Sequence, residues 1–308
     1  MGLRQNVAMI AMAASAAMSV GNASAGELWD PHLRGADEGL ASGASLPPGV
    51  YGVLDSYVVG FNQYDNKGDR TGVKLDAIVE IPIVLWQTGF QVLGADYAVG
   101  IAQPFDYTNL KVPGSAALSD NGHWGTYNTI LIPGVLSWDL GDGLHLSSGL
   151  CVYVDDASSS PASPPSRGGV GSGNGYWSLQ PDLGVSWLKD GWNLSVSAHY
   201  AYNFRDSKTD YTSGQELLVD YTATKTLDKW TLGVGAFSQT QLNADSGQGA
   251  VAKGCPAKDG CKVSLFGIGP LVGYQFGGLE LMAEYNFSVV SENDVAGDIL
   301  NIRLVAPL

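Results

Sequence analysis

The sequence predicts an all-β protein that closes into an antiparallel barrel of about twelve strands. Three observations predict it: long runs that alternate in character with period two, connections that alternate between short and long, and tryptophans gathered beside the short connections. Composition agrees. Of 308 residues, 45% are hydrophobic and 15% charged, with 41 glycines and a 10% aromatic share, whereas an average soluble domain is about a quarter charged. The 16 basic and 30 acidic residues leave a net charge of −14. A chain this rich in aromatics and poor in charge is not of the disordered class, and its acidic balance offers no basic surface to nucleic acid. Mean hydropathy is close to zero, too low for a polytopic helical membrane protein.

Residues 1–25 read as a secretory signal: Arg4 gives the basic start, Val7 to Met18 the apolar stretch, and Ala23-Ser24-Ala25 the small-residue cleavage site. The apolar stretch is shorter than the roughly 20 residues a spanning helix needs. Residues 26–50 form a second unit, with Trp29, Leu33 and Leu40 set among charges and Pro47-Pro48 imposing an extended entry into the first strand. Two readings stand here: a plug entering the barrel mouth from the periplasmic side, or a disordered tail.

The barrel occupies 51–308. Strands are expected near 51–64, 73–86, 90–103, 125–140, 143–155, 175–188, 191–206, 214–226, 229–241, 263–276, 279–291 and 297–308. The clearest is 191–206. There Trp192, Leu194, Val196, Ala198, Tyr200, Tyr202 and Phe204 share one face, and Asn193, Ser195, Ser197, His199, Ala201, Asn203 and Arg205 the other. Most of these strands exceed the roughly nine to eleven residues that cross a bilayer obliquely. Short turns are expected at Gln87-Thr88-Gly89, Gly141-Asp142-Gly143, Lys189-Asp190-Gly191, Leu227-Asp228-Lys229 and Gly277-Gly278, and long loops at 104–124, 156–174 and 242–262. Short turns on one rim and long loops on the other mark bacterial outer-membrane barrels. Trp86, Trp138, Trp187, Trp192 and Trp230 flank the short turns, as an interfacial aromatic belt requires. The register of 51–64 and 73–86 stays open. In the second of these, Val73 to Leu85 at odd positions read as lipid-facing, yet Ile78, Val84 and Trp86 then take the inner parity.

With the apolar parity outward, Lys74, Asp76, Glu80, Asp96, Asp182, His199, Arg205, Glu216, Asp220, Glu284 and Arg303 fall on the inner face. They read either as paired groups filling a small barrel or as the wall of a polar channel, in which the acidic excess favours cations. Phe237 and Tyr153 share the inner parity. His199 stands beside Ser195 and Ser197, but residues two apart on one strand face do not make a triad, and no third partner is identifiable. No metalloprotease, phosphate-loop or dinucleotide-binding motif occurs. The reading contains no catalytic residue, metal or cofactor. Cys255 and Cys261, in GCPAKDGC, suit a local disulfide in an exported protein, and Cys151 a packed thiol.

The stretches LPPGVYG (46–52), GYWSLQPDLGVSWL (175–188) and HYAYNFRDSKTDYTSGQELLVDY (199–221) resemble the outer-membrane channels of the meta-pathway phenol-degradation (MetA-type) transporter family. The resemblance implies a monomeric twelve-strand barrel in the Gram-negative outer membrane, its N-terminal segment in the lumen. It implies passive uptake of small hydrophobic or aromatic molecules, with membrane lipid and lipopolysaccharide as the outer partners. One departure is the terminal Ala306-Pro307-Leu308, where outer-membrane proteins usually end in Phe. Two other functions are compatible with the sequence: a lipid-modifying outer-membrane enzyme, or a non-conducting adhesive barrel.

Overall fold

The computed structural model describes residues 27–166, 168–255 and 261–308, so the expected signal segment lies outside the described residues. Among the described residues, one antiparallel sheet of fourteen strands closes on itself. Its strands are β1 (Gly49–Tyr64), β2 (Arg70–Val92), β3 (Ala95–Ala102), β4 (Phe105–Lys111), β5 (His123–Thr126), β6 (Ile130–Gly141) and β7 (Leu144–Tyr153). They continue as β8 (Ser178–Lys189), β9 (Trp192–Asn203), β10 (Glu216–Leu227), β11 (Trp230–Gln241), β12 (Ser264–Phe276), β13 (Leu279–Glu292) and β14 (Val295–Pro307). A short helix, α1 (Gln248–Ala252), lies in the loop before β12.

The first strand pairs with β2 on one side and with β14 on the other, which removes both sheet edges. β3 and β4 lie end to end along β2, interrupted at Gln103-Pro104, and β5 and β6 continue one another in the same way. The fourteen segments therefore act as twelve staves. Proline has no N–H to give to a ladder, so a break at Pro104 is where the third stave is expected to fail. The loop expected over 104–124 is correspondingly shorter, because β4 occupies its first part.

The short turns use the geometry that strand twist demands. At Leu93-Gly94, Asp142-Gly143 and Asp190-Gly191 both central residues have positive φ, between 51° and 81°, as in type I′ hairpins. The first of these corrects the expected turn at Gln87-Thr88-Gly89. β2 runs on to Val92, and Gly89 (φ 75°) sits instead at a register shift between Gln87 and Gln91. Gly89 thus supplies a bulge rather than a turn.

Alternation on β9 is as read: Trp192, Leu194 and Val196 are exposed outward, and Ser195, Ser197 and His199 are buried inward. β2 is inverted. Leu75, Ala77, Val79 and Ile81 are buried on the inner face, while Ile78, Val84 and Trp86 point outward. Lys74, Asp76 and Glu80 go outward with them and do not line the lumen. Asp76 pairs there with Lys111 at 3.7 Å, and Glu80 accepts a 2.6 Å hydrogen bond from Ser56. The inversion has a physical reason: this strand is apolar on both faces, so period two cannot choose between them.

Among the five belt tryptophans, Trp86, Trp192 and Trp230 are about half exposed on the outer surface, and Trp138 and Trp187 are partly covered. Trp138 Nε1 donates to Leu93 O across the neighbouring turn at 3.1 Å. Trp86 stands well before the end of β2, because the turn it was expected to flank lies elsewhere. Toward the long-loop rim, Trp124, Trp177, Tyr202 and Phe204 are also exposed. Cys255 and Cys261 are disulfide-bonded, with Cα atoms 5.4 Å apart.

Candidate functional site: a plugged lumen with one apolar wall

Residues 27–48 run through the lumen from the long-loop rim to the short-turn rim. At the loop end, the Glu27 backbone N–H donates to Ser213 Oγ and that of Trp29 to Asn174 Oδ1. At the turn end, Ser45 Oγ donates to Asp96 Oδ2, which places Asp96 at the rim rather than in the interior. Between them the chain folds as consecutive tight turns, Ala36 N–H to Leu33 O, Glu38 N–H to Gly35 O and Leu40 N–H to Asp37 O, each 3.1 Å. Turns of this kind leave many backbone groups unpaired, and the barrel wall satisfies them. Asp220 accepts from the N–H groups of Gly35 and Asp37, Thr222 from Gly39 and Ser186 from Gly43, while Ser137 and Ser147 donate to the carbonyls of Gly43 and Ser42.

Close approach is part of the attachment. A Cβ on Gly43 would sit 2.6 Å from both His145 O and Ser186 N, and one on Gly184 would lie 2.4 Å from Ser42 O. Side chains larger than hydrogen would push the segment off the wall.

Two buried guanidinium groups fix the plug, Arg34 near the long-loop ends of β11 and β14 and Arg303 further along β14. Arg34, from the plug, reaches Asp30 (2.7 Å), Gln239 (2.7 Å), the Val295 carbonyl (2.6 Å) and Asp294. Arg303, from β14, pairs with Asp55 at 2.7 Å and donates to the plug carbonyls of Glu38 and Ala36. Most of the inner-face groups expected from sequence come together in this polar half: Asp182, His199, Glu216, Asp220, Glu284 and Arg303. Arg205 does not. It lies beyond the end of β9, exposed, paired with Asp210 at 2.8 Å. The acidic excess of the interior is largely engaged with the plug and so does not coat an open water-filled path.

His199 has the third partner that sequence spacing could not reveal. Asp182 Oδ1 is 2.7 Å from its Nδ1, and Ser197 Oγ 2.9 Å from its Nε2. The distances are those of a nucleophile triad, but the protons run the wrong way. Ser197 donates its hydroxyl hydrogen to Asp37 of the plug at 2.6 Å, so it is not poised to give it to the imidazole. The Ser197 side chain is also buried against the plug.

Glu38 is the most enclosed plug residue. Its carboxylate accepts from Asn286 and faces Glu284 on β13, with Asp220 on β10 and Arg303 on β14 nearby and the Gly235 backbone of β11 against it. Burial first, and the Glu284 carboxylate next, hold Glu38 well above its ordinary value of 4.5, as the neutral acid. An acid raised on docking contributes fully below its undocked value, and the contribution is lost as pH rises through the docked one. Plug retention therefore weakens toward alkaline pH. Single-channel currents recorded across a pH series should rise at the alkaline end, and Glu38→Gln should flatten that rise; an unchanged profile in the variant would refute the assignment.

The other half of the lumen is different in kind. A cavity of about 830 Å³ lies between the plug and an apolar wall made by Val79, Ile81, Ile83 and Leu85 of β2, Ala98 and Ala102 of β3, and Ile130 and Ile132 of β6. The plug presents Leu33, Ala36 and Leu40 to it, and Tyr153 of β7 closes one side, its hydroxyl donating to Gln180. A second pocket of about 40 Å³ continues toward the long-loop rim past Trp29, Leu33 and Val79, which line both spaces. Phe237, the other inner aromatic, is fully packed and borders neither. The β2 residues of this wall lie on the face expected toward lipid, and the one local signal of their true side is a strand apolar on both faces.

A closed twelve-stave barrel with aromatic outer rims and a polar inner half that holds a lumenal segment defines a transmembrane β-barrel of the outer-membrane class. Comparison with known proteins narrows this. Residues 60–304 match the family described as the MetA-pathway of phenol degradation, and the chain belongs to that family. The fold is similar to that of the COG4313 outer membrane channel from Pseudomonas putida F1, with a TM-score of 0.72 and 12% identity over 89% of this chain and 100% of that one. The translocator domain of the autotransporter NalP from Neisseria meningitidis aligns with a TM-score of 0.51 and 10% identity over 86% of this chain and 91% of that domain. No curated protein sequence matches the chain.

Proposed function

We propose that the protein is a passive channel of the Gram-negative outer membrane that admits small hydrophobic or aromatic molecules. The observation that carries this reading is the cavity of about 830 Å³ between the plug and the apolar face of β2, β3 and β6. A dry cavity of about 150 Å³ lined by aliphatic side chains is enough to hold benzene, so the space accommodates aromatic solutes with room to move. Family membership in phenol degradation and a fold shared with an outer membrane channel support the same reading. Transport needs no energy coupling: a solute partitions from water onto the apolar wall, and the constriction at Trp29, Leu33 and Val79 sets its rate. The chain works as a monomer in contact with lipid and lipopolysaccharide, as a channel rather than an enzyme.

The test is growth and uptake on a panel of phenols and other aromatics, with and without the protein. Ile81→Asp places a charge on the apolar wall, where an unpaired carboxylate is strongly disfavoured. Aromatic uptake should fall to the level of cells lacking the channel, while Ile81→Val retains it. Equal uptake by cells with Ile81→Asp and with the unaltered protein would overturn the proposal.

A further inference from the structure

The plug meets the polar wall at a cluster that channel passage leaves unexplained. His32 of the plug stacks on His199 of β9, ring centroids 3.7 Å apart and planes within 18°. Asp37, two turns further along the plug, approaches His199 Nε2 at 3.4 Å. His32, Asp37 and His199 each offer one ligand atom, and these atoms lie within 4.8 Å of one another. His32 Nε2 is buried and has no hydrogen-bond partner, its nearest acid oxygen being Asp220 Oδ2 at 3.6 Å.

Two imidazoles and a carboxylate are the donor set that borderline divalent metals prefer. One outer partner is of the matching kind: Asp182 holds His199 Nδ1 at 2.7 Å, the carboxylate–histidine arrangement that leaves the opposite nitrogen for a metal. Charge points the same way: Asp37, Asp182 and Asp220 surround two face-to-face imidazoles, and a dication neutralises carboxylates without placing like charges on the stacked rings.

We infer that His32, Asp37 and His199 form a site for a divalent transition metal such as zinc, which ties the lumenal segment to the barrel wall. Because two of the ligands lie on the plug and one on the barrel, binding there favours the plugged state over any state with the segment displaced. Nothing local in the sequence marks it, since the ligands come from units well apart along the chain.

Zinc titrated calorimetrically into the refolded full chain in detergent should bind with a stoichiometry of one and be removed by EDTA. His32→Gln, which lies on the plug and leaves the barrel strands untouched, should abolish that binding event or weaken it about ten-fold or more, and Asp182→Asn should weaken it by about 10–100-fold. His123→Gln, on β5 and outside the cluster, should leave it unchanged. In planar bilayers zinc should lower the conductance of the unaltered channel and EDTA restore it, with no response in His32→Gln. Absence of stoichiometric binding, or binding as strong in His32→Gln and Asp37→Asn as in the unaltered chain, overturns the inference.

Discussion

Deletion of residues 27–45 is expected to raise single-channel conductance severalfold and to convert a narrow passage into an open, water-filled pore. The segment occupies the lumen over its whole height, from Ser213 and Asn174 near the loops to Asp96 at the turn rim. The wall behind it is polar. Ser137, Ser147, Ser186, Asp220 and Thr222 exchange their bonds to the plug for bonds to water, so the emptied half hydrates readily. The barrel ladder does not depend on the segment, because every stave pairs with two others. Planar-bilayer recordings check this. Conductance unchanged by the deletion would show that solutes and ions already bypass the segment, and would remove its role as a plug.

The second large effect is expected at Arg34. Replacing it with Met keeps much of the apolar stem but leaves Asp30 and Asp294 without their shared cation and Gln239 Oε1 and the Val295 carbonyl without donors. Breaking a buried pair from one side costs about 3–5 kcal/mol. That energy falls on the docking of the plug rather than on the barrel, and shifts the docking equilibrium by about 10²–10³-fold or more. Arg34→Lys should recover part of the loss, because an ammonium supplies the charge but not the planar fork that reaches four acceptors. Protease accessibility of the plug in the refolded protein measures the shift. Equal protection in Arg34→Met and the unaltered chain would mean that the remaining backbone contacts hold the plug without it.

Much of the architecture was legible in the sequence because lipid on one side and polar groups on the other impose strict alternation, as on β9. β2 resisted for a reason tied to use. A strand that lines an apolar passage is greasy toward lipid and greasy toward the lumen, so Lys74, Asp76 and Glu80 became the only markers and pointed the wrong way. The position where alternation fails is the position where a hydrophobic solute is proposed to travel. Asp182, Ser197 and His199 illustrate a second limit. Each is readable as an inner-face residue, but the pairing of Asp182 with His199 depends on the β8–β9 register, and the direction of the Ser197 proton depends on a plug residue far away in sequence. Arg34 and Asp37 looked like ordinary charges in a charged leader, and nothing local distinguishes a solvated arginine from one that docks 261 residues away on Val295.

That separation bears on how the molecule is put together. The seam of the barrel joins its first and last strands, Tyr51 to Gln63 against Pro307 to Val295, and the plug precedes the first of them. Docking of the segment is most direct while the trough is still open, before β14 meets β1, because Arg34 and Asp37 then reach their partners without passing along the barrel mouth. The plug thus acts as a mandrel around which the staves are wound. Its contacts with β8 to β11 span long stretches of chain and incur their loop-closure entropy early, leaving the β1–β14 seam as the final step of assembly.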